Sequence, residues 1–95
     1  MSKPYAISYD LNSPGQKYKE ITSILRSDEV SISYYKVLET TILLRSNLSA
    51  NQILDKIKLK LDSNDKLIIC EAEPVNYSGW LSDTEWTWLK ENIFY

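Results

Sequence analysis

The spacing of the apolar residues changes along this chain, and the order of those changes constrains the fold more than any other feature. Residues 5–9 alternate between large and small side chains, which is the period of a strand. Later segments place apolar residues three and four positions apart, as in helices, or collect Tyr, Val, Thr, Ile and Leu in short runs, as in strands. The chain therefore predicts strand, helix, strand, strand, helix, strand and a final helix.

The first predicted strand carries the residue on which the functional hypothesis depends. Tyr5 and Tyr9 lie on one face of this strand, and Asp10 ends it on the opposite face, because side chains alternate along a strand. We expect Ser13 to cap the first helix, with the regular helix over 17–27.

Two strands and a capped helix follow. The strands are predicted at 34–38 and 40–45, with Glu39 as the turn between them. Ser49 and Gln52 have the spacing of a capping box, in which each side chain accepts a hydrogen bond from the backbone of the other residue. The helix that they begin is expected to bury the apolar residues at helical spacing, which are Ile53, Leu54, Ile57 and Leu61.

The last strand and the last helix have different signals. Residues 67–70 form a continuous apolar run, which predicts a strand covered on both faces and makes Cys70 a buried core residue. Ser82 and Glu85 have the spacing of a second capping box. The buried stripe of the final helix is expected to be Trp86, Leu89 and Ile93.

This order of elements, with short connections, predicts an α+β fold of the ferredoxin-like type, βαββαβ. Its four-stranded antiparallel sheet would have both main helices on one face and strands one and three at its centre. The 95 residues suffice for a single domain. Within it we predict a core at 1–74 and a Trp-rich C-terminal extension at 75–95. The final helix is expected to cover an edge, cap the open face or dock on a partner chain.

Composition narrows the function classes. The chain has no histidine, which excludes Ser-His-Asp catalysis and histidine-ligated metal sites. Its net charge of −2 disfavours a generic nucleic-acid binder, because such proteins are usually basic. No apolar run approaches the roughly 20 residues that span a bilayer. With a single cysteine and no signal-peptide pattern, we expect a cytoplasmic protein that does not bind membranes.

Asp10 is the candidate metal ligand and catalytic residue. A carboxylate at the tip of a central strand can bind Mg²⁺ through oxygen, and Mg²⁺ can activate water for attack on a phosphodiester. One carboxylate is too few for tight binding, so the hypothesis requires a homodimer that brings a second Asp10 close. The alternative is an aspartate that serves a turn or a helix cap, because residues 10–13 read DLNS.

Other side chains are candidates for binding nucleic acid or a protein partner. Lys56 and Lys60 share a helix face and are expected to contact phosphates, unless that face is merely solvated beside neighbouring aspartates. Trp80 and Trp88 lie off the predicted buried stripe of the last helix, which makes them candidates for a protein interface. The isolated cations are expected to be structural or solvated; they are Arg26, Lys36 and Arg45.

Three motifs carry a resemblance to a known family: YAISYDLN at 5–12, LSANQ at 48–52 and YSGWL at 77–81. The opening motif is similar to the first strand of the small CRISPR-associated endoribonucleases, the second Cas protein. All three motifs resemble those of short stand-alone relatives, a group that also includes the virulence-associated protein D type ribonucleases. The resemblance implies a ferredoxin-like homodimer that either cleaves phosphodiesters with a metal or is a non-catalytic scaffold on DNA. It carries Asp10 over as the metal ligand, with Tyr9 beside it in the motif.

Three hypotheses remain. The first is a Mg²⁺-dependent nuclease of RNA or DNA, in which Asp10 binds the metal and Ser8 or Asn12 orients the phosphate. The second is a catalytically silent protein-interaction factor, such as an accessory protein of defence or anti-defence. The third is an RNA-binding module that stacks bases on Tyr5 and Tyr9. The third ranks last, because the third strand has no aromatic residue.

Overall fold

The computed structural model describes residues 1–12 and 15–95, with the backbone alone for Gln16. The described chain contains β1 (Lys3–Asp10), α1 (Gln16–Leu25), β2 (Ser33–Leu38), β3 (Thr41–Ser46), α2 (Ala50–Ile57), β4 (Lys66–Glu71) and α3 (Asp83–Asn92). A short 3-10 turn, Lys58–Lys60, follows α2. The predicted cap at Ser13 lies outside the described residues.

The strands form one antiparallel sheet in the order β2-β3-β1-β4. β1 pairs with β3 on one side and with β4 on the other, and β2 pairs with β3. Because α1 and α2 each connect strands that are not neighbours, the arrangement is ferredoxin-like. The predicted fold class and the central position of strands one and three are confirmed.

One face of the sheet buries the main core against α1 and α2. Tyr5, Ile7 and Tyr9 of β1 all point to this face, as their alternation predicted, and all three are buried. The two helices contribute fully buried residues to the same cluster, which are Ile21, Leu25, Ile53 and Ile57. Each such side chain stabilises the fold by roughly 1.5–3 kcal/mol relative to an exposed one.

α2 and α3 begin at the predicted capping boxes. The N–H of Gln52 donates to Ser49 Oγ at 3.2 Å, and the N–H of Ser49 donates to Gln52 Oε1 at 2.8 Å. Ser82 and Glu85 make the same reciprocal pair. α2 ends at Ile57, before the predicted stripe is complete, because the chain tightens into the 3-10 turn.

The second face of the sheet is covered only in part. α3 and the residues after it place Leu89, Ile93 and Phe94 against Tyr35 of β2 and Leu43 of β3. Of the three positions expected for the last helix, the structure therefore shows the one on the open face. The predicted buried stripe is confirmed for Leu89 and Ile93, and Trp86 is partly buried.

Arg45 binds the C-terminal residues at this second face. Its guanidinium donates to the carbonyl of Ile93 at 2.8 Å and to Ser2 Oγ at 2.8 Å. It also lies 3.7 Å from the centre of the Tyr95 ring, a cation–π contact. Arg45 is buried, so the expectation that this cation is structural is confirmed.

The prediction that the fourth strand is covered on both faces is wrong. Ile68 is 59% exposed, and Cys70 is exposed instead of buried in a core. β4 is an edge strand of the sheet, while α3 packs mainly on β2 and β3. A continuous apolar run is typical of a strand that is buried on both faces. The run alone does not determine whether another element covers the second face.

Candidate functional site on the open face of the sheet

Asp10 lies where its position in the strand predicted, at the end of β1 on the face opposite the main core. Its side chain is exposed and stands directly across from Lys66 of β4 in the antiparallel register. Within the described part of the chain, the carboxylate makes no hydrogen bond or ion pair. The residue before α1 is Gly15, and no cap hydrogen bond from a side chain is found there among the described residues. No described contact therefore supports the alternative of a capping aspartate.

A shallow cleft of about 370 Å³ lies beside Asp10. Ser8 and Thr41 line it, and their hydroxyl oxygens are hydrogen-bonded at 3.0 Å. Lys66, Leu67 and Ile68 line it on the β4 side. The lysine and the hydroxyls can donate to an anion such as a phosphate, while the carboxylate of Asp10 repels one. The cleft therefore needs a cation near Asp10 before it can bind a phosphate well.

The residues of one chain do not complete a magnesium site at Asp10. Among residues 1–12 and 15–95, no three or more Asp, Glu or Cys side chains come together as ligands for a metal ion. Mg²⁺ requires a nearly octahedral set of oxygen ligands and is usually held by one or two carboxylates together with substrate phosphates. A site that includes Asp10 would need a ligand from a second copy or from a substrate.

Asp65 is the residue at this end of the sheet whose importance the sequence analysis missed. Its side chain is 1% exposed and accepts hydrogen bonds from Lys17 Nζ at 2.7 Å and from the N–H groups of Asn12 at 2.7 Å and Asp62 at 2.9 Å. The bonds from Lys17, then from Asp62 and Asn12, lower the pKa of Asp65 to about 2. Asp65 therefore ties the β1–α1 connection to the α2–β4 connection.

No local signal marks this contact. Asp62 and Asp65 read as an ordinary polar turn, and the partner Lys17 is 48 residues away along the chain. Only the packing of α1 beside the 3-10 turn brings the groups together.

Tyr9 is among the residues that line the cleft, but its side chain belongs to the main core on the other face of the sheet. It is 4% exposed, and its ring lies 5.5 Å from that of Tyr18. Burial, together with the nearby Tyr34, raises the pKa of the Tyr9 hydroxyl to about 12. A base could stack on Tyr9 only after the helices had moved. Its predicted role in binding nucleic acid stays a prediction, as does that of Asn12, whose side chain is exposed.

The two candidate lysines belong to the helix layer and are not brought together with Asp10. Lys56 is exposed on α2. Lys60 lies in the 3-10 turn, where its Nζ is 3.8 Å from a carboxylate oxygen of Glu20. A phosphate held at the cleft would lie on the other side of the sheet from both lysines. Their contact with nucleic acid stays a prediction.

The two candidate interface tryptophans differ in their surroundings. Trp80 is fully exposed in the segment before α3. Trp88 on α3 is 37% exposed, and its ring lies 5.6 Å from that of Tyr35. Both therefore present apolar surface, and Trp80 presents the larger area.

Apolar side chains also lie on the uncovered part of the second sheet face. Leu38 is 60% exposed, about as much as Ile68, and both lie on the same side of the sheet as Ala6. We call this region the open patch; it comprises Ala6, Ser8, Leu38, Thr41, Ile68 and Cys70.

Comparison with known proteins found no match to a family model, to a curated protein or to a solved structure. The helices of the described ranges were also compared with the requirements for crossing a bilayer, and none is both long and apolar enough.

Proposed function

We propose that this chain is a protein-interaction domain that forms a two-fold homodimer through the open patch. The observation that supports the proposal is the exposure of Ile68 and Leu38 on a sheet face whose other half is covered by α3. Exposed apolar side chains on a sheet face mark interaction sites, and here Leu38 and Ile68 flank the hydroxyl residues Thr41 and Ser8 in one row across the sheet. A second copy would remove this surface from water.

The charges beside the open patch suit pairing of two identical surfaces. Asp10 and Lys66 stand side by side on β1 and β4, so the patch carries one charge of each sign at the same end. A two-fold interface contacts itself, and each Asp10 can then approach the Lys66 of the other copy.

The test is the oligomeric state in sedimentation velocity over a range of concentrations. Ile68→Asp should weaken the dimer about tenfold or more, because it replaces a buried apolar side chain with a charge. The matched control is Leu59→Asp, since Leu59 is also exposed but lies in the 3-10 turn after α2. A wild-type chain that stays monomeric, or equal weakening by both variants, would contradict the proposal.

A second candidate is a Mg²⁺-dependent nuclease built on the same dimer. The specific observation that favours it is Asp10, an exposed carboxylate with no described partner beside the Ser8, Thr41 and Lys66 donors. Dimerisation through the open patch would bring two Asp10 carboxylates to one interface. Bound Mg²⁺ would neutralise the carboxylates and polarise a phosphodiester. Lys66 and the hydroxyls would then hold the phosphate oxygens.

The nuclease candidate is tested by Mg²⁺-dependent cleavage of RNA and of duplex DNA. Wild type should cleave one of them, and Asp10→Asn should abolish that cleavage. Asp28→Asn changes an exposed aspartate after α1 and should leave the activity intact. The nuclease candidate fails if wild type and Asp10→Asn behave alike, whether both cleave or neither does.

The exposure of Cys70 supports a proposal about the cellular location of the protein. It is a free, exposed thiol, which suits a reducing compartment, so we propose a cytoplasmic location.

A further inference from the structure

A groove beside the open patch separates the sheet from the segment before α3. Its volume is about 560 Å³, within the range of sites that bind small organic molecules. Ala6 and Leu43 form its floor on the sheet, and Leu38 lines it at the β2–β3 end. The opposite wall comes from the segment 72–81, from Trp86 of α3 and from Phe94 after α3.

The wall of the groove is a preformed stack of aromatic rings. Tyr77 lies between Trp86, with ring centres 5.7 Å apart, and Phe94, with ring centres 4.2 Å apart. Gly79 allows the chain to pass close to this stack, since a Cβ at that position would lie 3.3 Å from two atoms of the Trp86 ring. The rings hold one another in place, so a ligand would not need to order them.

The charged side chains among the described lining residues of the groove are negative only. Glu73 is the single ionisable carboxylate among its described lining residues, and no Lys or Arg lines it. Trp80 also lines the groove but remains fully exposed, so its indole face does not pack against the described protein. A cation placed over an indole face is attracted by the ring, and a nearby carboxylate adds to that attraction.

We propose that this groove binds a small organic cation with an apolar body. The Trp86 and Phe94 wall and Leu43 would contact the apolar body, while Trp80 and Glu73 would hold the charge. The inference goes beyond the proposed dimer, because the groove is complete within one chain. Ala6 and Leu38 belong to both the groove and the open patch, so a dimer would compete with the ligand.

The test compares three probes of similar body and different charge: benzyltrimethylammonium, benzyl alcohol and phenylacetate. Affinities are measured by NMR from the shifts of the indole N–H signals, on wild type and on Ile68→Asp. The cation should bind most tightly and phenylacetate most weakly, with the largest shifts at Trp80 and Trp86. Because Ile68 does not line the groove, Ile68→Asp should bind the cation at least as tightly as wild type, and a loss of binding in this variant would overturn the claim that one chain completes the groove.

Two pairs of variants identify the side chains that bind the cationic group of the ligand. Glu73→Gln should weaken the cation about threefold and leave benzyl alcohol unchanged, whereas Glu91→Gln on α3 should change neither. Trp80→Ala should weaken the cation about fivefold, whereas Trp88→Ala should not. Equal affinity for all three probes, shifts confined to Trp88, or no binding by wild type would overturn the inference.

Discussion

Asp10 and Asp65 lie at the same end of the sheet but have different surroundings. The Asp65 carboxylate is almost fully buried and receives hydrogen bonds from Lys17 and two backbone N–H groups. Asp10 is exposed and makes no such bond within the described chain. At the scale of single residues, Asp65 is therefore used for structure, whereas Asp10 is exposed to solvent at the same end of the sheet.

Tyr9 is a second residue whose surroundings decide its properties. Its hydroxyl is buried and has no hydrogen-bond partner in the described structure. Tyr9→Phe should therefore raise the free energy of unfolding by about 1 kcal/mol, because the unpaired hydroxyl no longer has to leave water. Urea unfolding at neutral pH measures the change. Tyr18→Phe is the control and should destabilise, since the Tyr18 hydroxyl accepts a bond from the N–H of Leu11 at 3.3 Å.

Tyr9→Phe should also change how the free energy of unfolding depends on pH. The pKa of Tyr9 is raised to about 12 in the fold, above the value near 10 of an unfolded chain. The unfolded state therefore loses its proton first, and stability falls as pH rises from about 10 to 12. Tyr9→Phe should show a smaller alkaline fall than wild type. A variant less stable than wild type at neutral pH would mean that the hydroxyl has a partner, and an unchanged alkaline fall would mean that the pKa of Tyr9 is not raised in the fold.

At the scale of elements, the connections at one end of the sheet are tied by side chains. Lys17 at the start of α1 bonds both Asp62 and Asp65, each at 2.7 Å. These two aspartates belong to the connection between the 3-10 turn and β4. The contact fixes α1 against that connection, and with it the tip of β1 that carries Asp10.

Asp65→Asn should loosen this end of the sheet and change the acid response of the protein. The pKa of Asp65 is lowered to about 2, so its bonds stabilise the fold above about pH 4 and are lost as pH falls toward 2. The variant should be less stable at pH 7 and should lose less stability between pH 4 and pH 2. Urea unfolding at several pH values measures both effects. Asp55→Asn, which changes an exposed pair with Lys58, should keep the wild-type acid response.

At the scale of the whole molecule, the sheet has a helical layer on one face and a partial cover on the other. The core under α1 and α2 is continuous, whereas the cluster under α3 is smaller and separate. Tyr35 adds to the cover by donating to Glu85 at 2.6 Å, a bond that lowers the pKa of Glu85. Local opening should therefore begin at α3 and leave the main core intact.

Arg45→Met tests whether the layer under α3 opens before the main core does. The change removes the bonds to Ser2 and Ile93 and should cost about 2 kcal/mol, because the donor is charged and buried. Amide hydrogen exchange should show lost protection at α3, with protection in β1 and β3 largely retained. Arg26→Met removes an exposed arginine after α1 and serves as the control. A uniform loss of protection across both layers would mean that the two clusters form one cooperative unit.

The order of the elements, the core face of β1 and the two capping boxes could be predicted from the sequence, because each depends on residues within a few positions of one another. The exposure of Ile68 and Cys70, the pairing of Lys17 with Asp65 and the burial of Arg45 could not. Each of these depends on which element covers a given face, and such contacts join residues far apart in the chain. The position of Asp10 was decided by strand periodicity alone, while its open surroundings were decided by α3, which covers only the other half of its face.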